Sequence, residues 1–225
     1  SMCAIFGSFD TSMFEVLYEA NKQRGNFASS VVSVTEEDQF IQKTEGDINF
    51  DKFKYQRSSY YHLGHVQAPT STARKWNYDT SHPFESLSWL VSHNGVLTNH
   101  KKLKKQYCSY LHNEVDTAVI VNLLEHFTND MIVSKKKFKS ESVVKKALEV
   151  LAGTYALSII FCDTNEVFLA RSGSILHYNN KGDYSTMSGA GFKEVPEGVI
   201  MKLNNKTKKW NKTLKFKHDS PFSFI

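Results

Sequence analysis

Cysteine is scarce in this chain: 225 residues contain 3, at Cys3, Cys108 and Cys162. An odd number at wide, irregular spacing is neither a disulfide framework nor a zinc pattern, so reduced thiols and no metal are expected. Cys162 ends the apolar run Ser158-Ile159-Ile160-Phe161 and reads as a core or strand-end residue, whereas Cys108 follows a lysine-rich stretch and has no evident partner. Long apolar runs are lacking too. None approaches the roughly 20 residues that a membrane-spanning helix needs, and the N-terminus lacks the pattern of a secretion signal. A cytoplasmic protein with no membrane partner is therefore expected.

Core-forming residues are plentiful. Hydrophobic residues make up 40% and aromatics 13%, which excludes an intrinsically disordered chain and suffices for a sizeable core. The length suits one large domain, and no internal repeat, low-complexity segment or linker divides residues 1–225. The formal charge is +5. Lysines cluster at 101–105, at 135–139 and through 202–217, and residues 205–225 read as a basic C-terminal extension. No nucleic-acid motif accompanies these lysines, so they read as solvated faces, and nucleic acid is not expected as a partner. Ser1 ahead of Met2 reads as a tag remnant.

Residues 3–7, Cys-Ala-Ile-Phe-Gly, form a short apolar run with the look of a buried strand. Ser12-Met13-Phe14-Glu15 has the spacing of a capping box that opens a helix. Phe14, Leu17, Tyr18 and Asn21 share one face of that helix, and Gly25 is positioned to end it. Segments 31–34, 60–67 and 87–93 read as strands, and 70–86 as an exposed loop. Two helices are expected mid-chain. One begins at Asp116, with Val119, Ile120, Leu123, Leu124 and Phe127 at helical spacing; the other begins at Ser140 and ends at Gly153. Strands follow at 154–161, 166–171, 175–179, 183–187, 198–203 and 213–217, with turns at Gly173, Gly182 and Asn204-Asn205. Strands at both ends and helices between them suit an α+β fold of two sheets with helices on the outer faces.

Cys3 is chemically distinctive only as a first residue. Removal of Met2 would expose a free α-amine beside the thiol. Such an amine has an ordinary pKa of about 7.7–8.0, so near neutrality it is partly free to take the thiol proton. Nucleophile and base would then come from one residue. With Ser1 and Met2 attached, the Cys3 nitrogen is an amide and the chain should be inactive. Considered alone, Cys3 reads rather as a buried strand cysteine.

Four further segments stand in order behind it: Gly64-His65-Val66-Gln67-Ala68-Pro69-Thr70, Ser92-His93-Asn94-Gly95-Val96-Leu97-Thr98-Asn99, Glu114-Val115-Asp116-Thr117 and Ala170-Arg171-Ser172-Gly173-Ser174. Together with Met2-Cys3-Ala4-Ile5-Phe6-Gly7, they resemble the glutaminase domain of class II glutamine amidotransferases, which are N-terminal-nucleophile hydrolases. The resemblance runs from Cys3 to about residue 204 and implies a four-layer αββα sandwich that hydrolyses glutamine to glutamate and ammonia without a cofactor. Cys3 would attack the side-chain amide of glutamine and pass through a thioester. The Asn94 side chain and the Gly95 N–H would stabilise the oxyanion. Asp116 would hold the α-ammonium group of the substrate. Arg24, before Gly25, would pack beside the nucleophile, and Thr70 would line the substrate site. His93, Arg171 and Ser172 would be structural. Each residue also has a plainer explanation: Asn94-Gly95 is a common hairpin turn, Asp116 an ordinary helix cap, and Arg24 a helix-end cation.

The chain departs from the family at Gln67, where an arginine clamps the α-carboxylate of glutamine. A glutamine side chain offers only neutral hydrogen bonds there. Arg74 could substitute, binding could be weak, or the substrate could differ. Ala4 replaces a glycine after the nucleophile, and an Asp-Ser pattern is absent around Asn26-Phe27-Ala28. Family glutaminases supply ammonia to a synthase, so a separate ammonia-accepting synthase subunit is expected, docked by the lysine clusters or by the segment Phe222 to Ile225. Two alternatives remain open: an amidohydrolase for another γ-glutamyl or amide substrate, and a catalytically silent binding subunit.

Overall fold

The computed structural model describes residues 3–53, 55, 58–68 and 75–219. In chain order the strands are β1 (Ala4–Ser8), β2 (Ala28–Val34), β3 (Gln39–Glu45), β4 (Tyr61–Gln67), β5 (Phe84–Glu85), β6 (Trp89–Asn94), β7 (Tyr155–Phe161), β8 (Glu166–Ser172), β9 (His177–Tyr178), β10 (Tyr184–Ser185), β11 (Lys193–Glu194), β12 (Val199–Asn204) and β13 (Lys209–Lys215). The helices are α1 (Thr11–Asn21), α2 (His100–Tyr107), α3 (Asp116–Val133) and α4 (Ser140–Glu149).

Two antiparallel sheets result. One has the order β11-β9-β10-β1-β4-β2-β3, and the other β13-β12-β8-β7-β6-β5. Side chains alternate between the faces of a strand, and the packing shows what each face meets. Ala4 and Phe6 of β1, with Val31 and Val66, pack against Phe14, Leu17 and Tyr18 of α1. Ile5 points the other way, into a cluster with Val32, Leu63, Leu90, Ala156, Ile160 and Leu169 drawn from both sheets. On the second sheet Trp89, Val91, Leu157, Ile159 and Phe168 pack against α2, α3 and α4. The layers are therefore α1, first sheet, second sheet, and α2–α4: the αββα sandwich. Burying each large apolar side chain in these three clusters contributes about 1.5–3 kcal/mol.

Several local expectations need correction. The α1 cap is Asp10, whose Oδ1 accepts from the Met13 N–H at 2.8 Å. Ser12 is not the cap, and Glu15 accepts instead from the Tyr55 hydroxyl. Gly25 does follow the helix end, through a 3-10 turn at Lys22–Arg24. Its φ of 171° is extended backbone, so the reason for glycine is space: a Cβ there would lie 2.2 Å from Ala68 Cα. Two elements, β3 and α2, carry little sequence signal. β3 is an edge strand with no fully buried residue, and α2 buries fully only Leu103. Within the described part of loop 70–86 lie a 3-10 turn at Tyr78–Thr80 and β5. Residues 209–215 of the basic C-terminal segment form edge strand β13 against β12. The exposed Lys209, Lys212 and Lys215 suit an edge that must not pair further.

Candidate active site between the two sheets

β1 and β4 are antiparallel neighbours, with Ala4 opposite Val66 and Ile5 opposite His65. Continuing that register by one step places Cys3 across from Gln67, at the head of β1. Alternation then decides the faces. Ile5 and His65 look into the space between the sheets, so Cys3 and Gln67, two residues along in each strand, look there too. Cys3 is 7% exposed and Gln67 8%. The Arg24 Nε–H donates to the Cys3 carbonyl at 3.1 Å, so the guanidinium anchors the backbone of this strand end.

The facing wall is β6. Leu90 and Ala156 belong to the inter-sheet cluster, and Asn94 pairs with Ala156 across β6 and β7, so the buried Asn94 side chain faces the same space as Cys3. His93, one residue earlier, faces the helices. Asn94-Gly95 is no hairpin: β6 pairs with β5 and β7, and the chain runs on to α2. Gly95 has φ 140°, and a Cβ there would lie 2.2 Å from the Thr154 carbonyl oxygen. Only glycine fits this turn, in conformation and in space.

Asp116 is the first residue of α3, but its carboxylate does not cap that helix. It reaches back to the turn after Gly95, where Oδ2 accepts from the Leu97 N–H at 3.0 Å. Oδ1 lies 3.5 Å from Thr117 Oγ1 and 3.8 Å from His93 Nδ1. Burial by itself raises its pKa. The His93 imidazole, through hydrogen bonding and charge, and the Leu97 N–H overcome that and bring it down to about 2. Asp116 is thus a carboxylate at any neutral pH, with acceptor capacity left over. His65 is the opposite case. Complete burial pushes it down to about 3, so it is neutral, and its Nε2–H donates to the His93 carbonyl at 3.2 Å, tying the two sheets together.

Two histidines converge on Thr117. Thr117 Oγ1 lies 3.0 Å from His82 Nε2 and 3.2 Å from His93 Nδ1, while His93 Nε2 donates to the Thr154 carbonyl at 3.2 Å. His65 and His82 stack with centroids 3.8 Å apart. These residues lie on five separate segments, and no local periodicity connects them. Arg171 has a structural setting: its guanidinium donates to the Val195 and Ser174 carbonyls and faces Glu194 and Glu197. Thr70 and Arg74 lie outside the described residues, as do Ser1, Met2 and Phe222 to Ile225. Among the described residues no three metal-ligating side chains converge, and no helix is long and apolar enough to cross a membrane.

Residues 79–184, which include Asn94, Gly95 and Asp116, match the family model of a glutamine amidotransferase domain. The chain is 30% identical over 145 residues to a glutamine–fructose-6-phosphate aminotransferase (isomerizing) of Staphylococcus epidermidis, covering 63% of this chain and 22% of that protein. The Staphylococcus aureus protein of the same name is 29% identical over 189 residues, covering 78% of this chain and 30% of the relative. Among solved structures, the glutamine phosphoribosylpyrophosphate amidotransferase of B. subtilis superimposes with a TM-score of 0.73 at 20% identity, covering 96% of this chain and 49% of that one. At that identity the superposition speaks for the fold alone. The chain thus spans less than a third of these curated relatives and about half of this structural one. The αββα sandwich and the family model that matches residues 79–184 make this chain similar to glutamine amidotransferase domains.

Proposed function

We propose that this domain hydrolyses the side-chain amide of glutamine, with Cys3 as nucleophile once Cys3 is the first residue. The observation that carries this reading is the placement of Cys3, by strand register, on the inter-sheet face opposite the Asn94-Gly95 turn. The free α-amine of Cys3 takes the thiol proton, and Sγ attacks the amide carbon. The resulting oxyanion is met by the Asn94 side-chain N–H and the Gly95 backbone N–H. Collapse breaks the C–N bond, the amine returns the proton to the leaving nitrogen, and ammonia departs. Water, deprotonated by the same amine, hydrolyses the thioester to release the carboxylate and regenerate the thiol. Two fixed donors aimed at the developing charge supply several kcal/mol, and each is worth about 2.7–4 kcal/mol. Asp116, charged at neutral pH, is suited to an α-ammonium group; Arg24 holds the strand end that presents Cys3; Thr70 is assigned to the substrate site by the family resemblance alone.

Ammonia protonates readily in water, so the domain is proposed to hand it to a synthase unit. The names of the curated relatives, which join glutamine to an acceptor sugar phosphate, support that step. A second reading, hydrolysis of another γ-glutamyl amide, is favoured by Gln67 beside the nucleophile.

The test is glutamate release by protein whose N-terminus is Cys3, checked by intact mass, with Cys3→Ala as control. Release that disappears in the variant is expected. Equal release by protein still carrying Ser1-Met2 would disprove the α-amine as base.

A further inference from the structure

Thr117 is fully buried near the start of α3. Its hydroxyl sits between two imidazoles, 3.0 Å from His82 Nε2 and 3.2 Å from His93 Nδ1. A threonine in a helix ordinarily turns its hydroxyl to water or to a carbonyl of the preceding turn; this one is spent on side chains from two other segments. The Thr154 carbonyl can only accept, so the His93 Nε2 that faces it at 3.2 Å carries a hydrogen. His93 is therefore gripped at both ring nitrogens, by a carbonyl at one and by the Thr117 hydroxyl at the other. A hydroxyl has one hydrogen and two lone pairs, so it can donate to one imidazole while accepting from the other. An apolar side chain of the same shape can do neither.

The next link is what the ring holds. Thr154 braces the turn after β6 in three ways. Its N–H donates to the Val96 carbonyl at 2.9 Å, and its Oγ1 accepts from the Val96 N–H at 3.1 Å. Its carbonyl oxygen lies so close to Gly95 that a Cβ there would be 2.2 Å away. That same oxygen is the acceptor of the His93 ring. His93 also precedes Asn94 directly in β6, and its own carbonyl accepts from His65 Nε2 at 3.2 Å. The path from Thr117 to the Asn94-Gly95 turn thus runs through one imidazole and one peptide unit.

Resting on the hydrolysis proposed above, we propose that Thr117 is a positioning residue for that reaction. Its hydroxyl fixes the His93 ring, and the ring fixes the Thr154 carbonyl that shapes the Asn94-Gly95 turn. Donors to an oxyanion count only once the charge develops, so the effect falls on kcat. Asp116, whose Oδ1 lies 3.5 Å from the same hydroxyl, is proposed above to act on substrate binding, so a route through Asp116 would fall on KM instead.

The experiment measures kcat and KM for glutamate release, together with melting temperature, in the full chain with Cys3 as its N-terminus and in Thr117→Val, Thr117→Ala and Thr117→Ser. Thr117→Val should lower kcat about 10- to 100-fold and leave KM within about twofold, the loss expected from slight misplacement of a catalytic group. Thr117→Ser, which keeps the hydroxyl, should restore most of the lost kcat. Thr117→Ala, which removes the hydroxyl and adds no bulk, repeats the test should the valine variant not fold. Unchanged kcat in a folded variant without the hydroxyl overturns the proposal, whatever the melting temperature. So does a loss that serine fails to restore, or a rise in KM with kcat intact. Each of these leaves the hydrolysis reading standing; absence of glutamate release from the correctly processed parent chain overturns both.

Discussion

Strand β1 has two polar ends, and they are built differently. At Ser8 the groups close on one another. Ser8 Oγ donates to Asp183 Oδ1 at 2.6 Å and accepts from the Asp10 N–H at 3.0 Å. Asn179 Nδ2 donates to Asp183 Oδ2 at 2.8 Å, and the Asn179 oxygen takes the N–H groups of Lys181 and Asp183 at 3.0 Å each. At the other end, the Arg24 Nε–H holds the Cys3 carbonyl at 3.1 Å, and across the cleft Asp116 keeps acceptor capacity beyond the Leu97 N–H. A buried polar cluster that satisfies itself contributes to stability. One that leaves donors and acceptors facing a cleft is poised for something outside the chain.

Substitutions separate the two ends. The largest effect is expected from Asn94→Ala at the open end: kcat should fall about 100- to 1000-fold with an unchanged circular dichroism spectrum and melting temperature. A comparable loss of stability would make Asn94 structural. At the closed end, Asp183→Ala orphans the Ser8 and Asn179 donors and should cost about 3 kcal/mol in urea titration, with kcat/KM unaltered. Asp116 should show itself in the acid limb of stability. Its folded pKa of about 2 lies below the ordinary 3.8. The stabilisation is therefore fully present above about pH 4 and is lost as pH falls from about 4 towards 2. It amounts to at most about 2 kcal/mol, discounted because the side chain is 20% exposed. Asp116→Asn should flatten that limb; an unchanged pH dependence would sink the assignment. Smallest is Asp10→Ala, which removes the α1 cap. It should lower stability by about 1 kcal/mol and leave kinetics untouched.

How much was legible beforehand follows from where the signals reside. α3 and α4 were readable because their apolar residues recur at helical spacing, and β7 and β8 because they are continuous apolar runs. β3 and α2 were not, because an edge strand and a helix anchored mainly by Leu103 bury too little to leave a periodic pattern. The α1 cap was misplaced by two residues because Ser12 and Glu15 satisfy the capping-box spacing, while the actual cap is set by Asp10 and Glu15 is drawn to Tyr55.

The candidate site divides in the same way. The family resemblance, carried by short local motifs, pointed to Cys3, Asn94, Gly95 and Asp116. That Gly95 must be glycine depends on the Thr154 carbonyl, 59 residues away in sequence. That Asp116 serves the turn after Gly95 rather than its own helix depends on how α3 lies against β6. That Gln67 comes to lie across from Cys3 depends on strand register. Local motifs are written in neighbouring residues, but register, burial and long-range hydrogen bonds arise only when distant segments pack, because each requires atoms that the sequence does not place side by side.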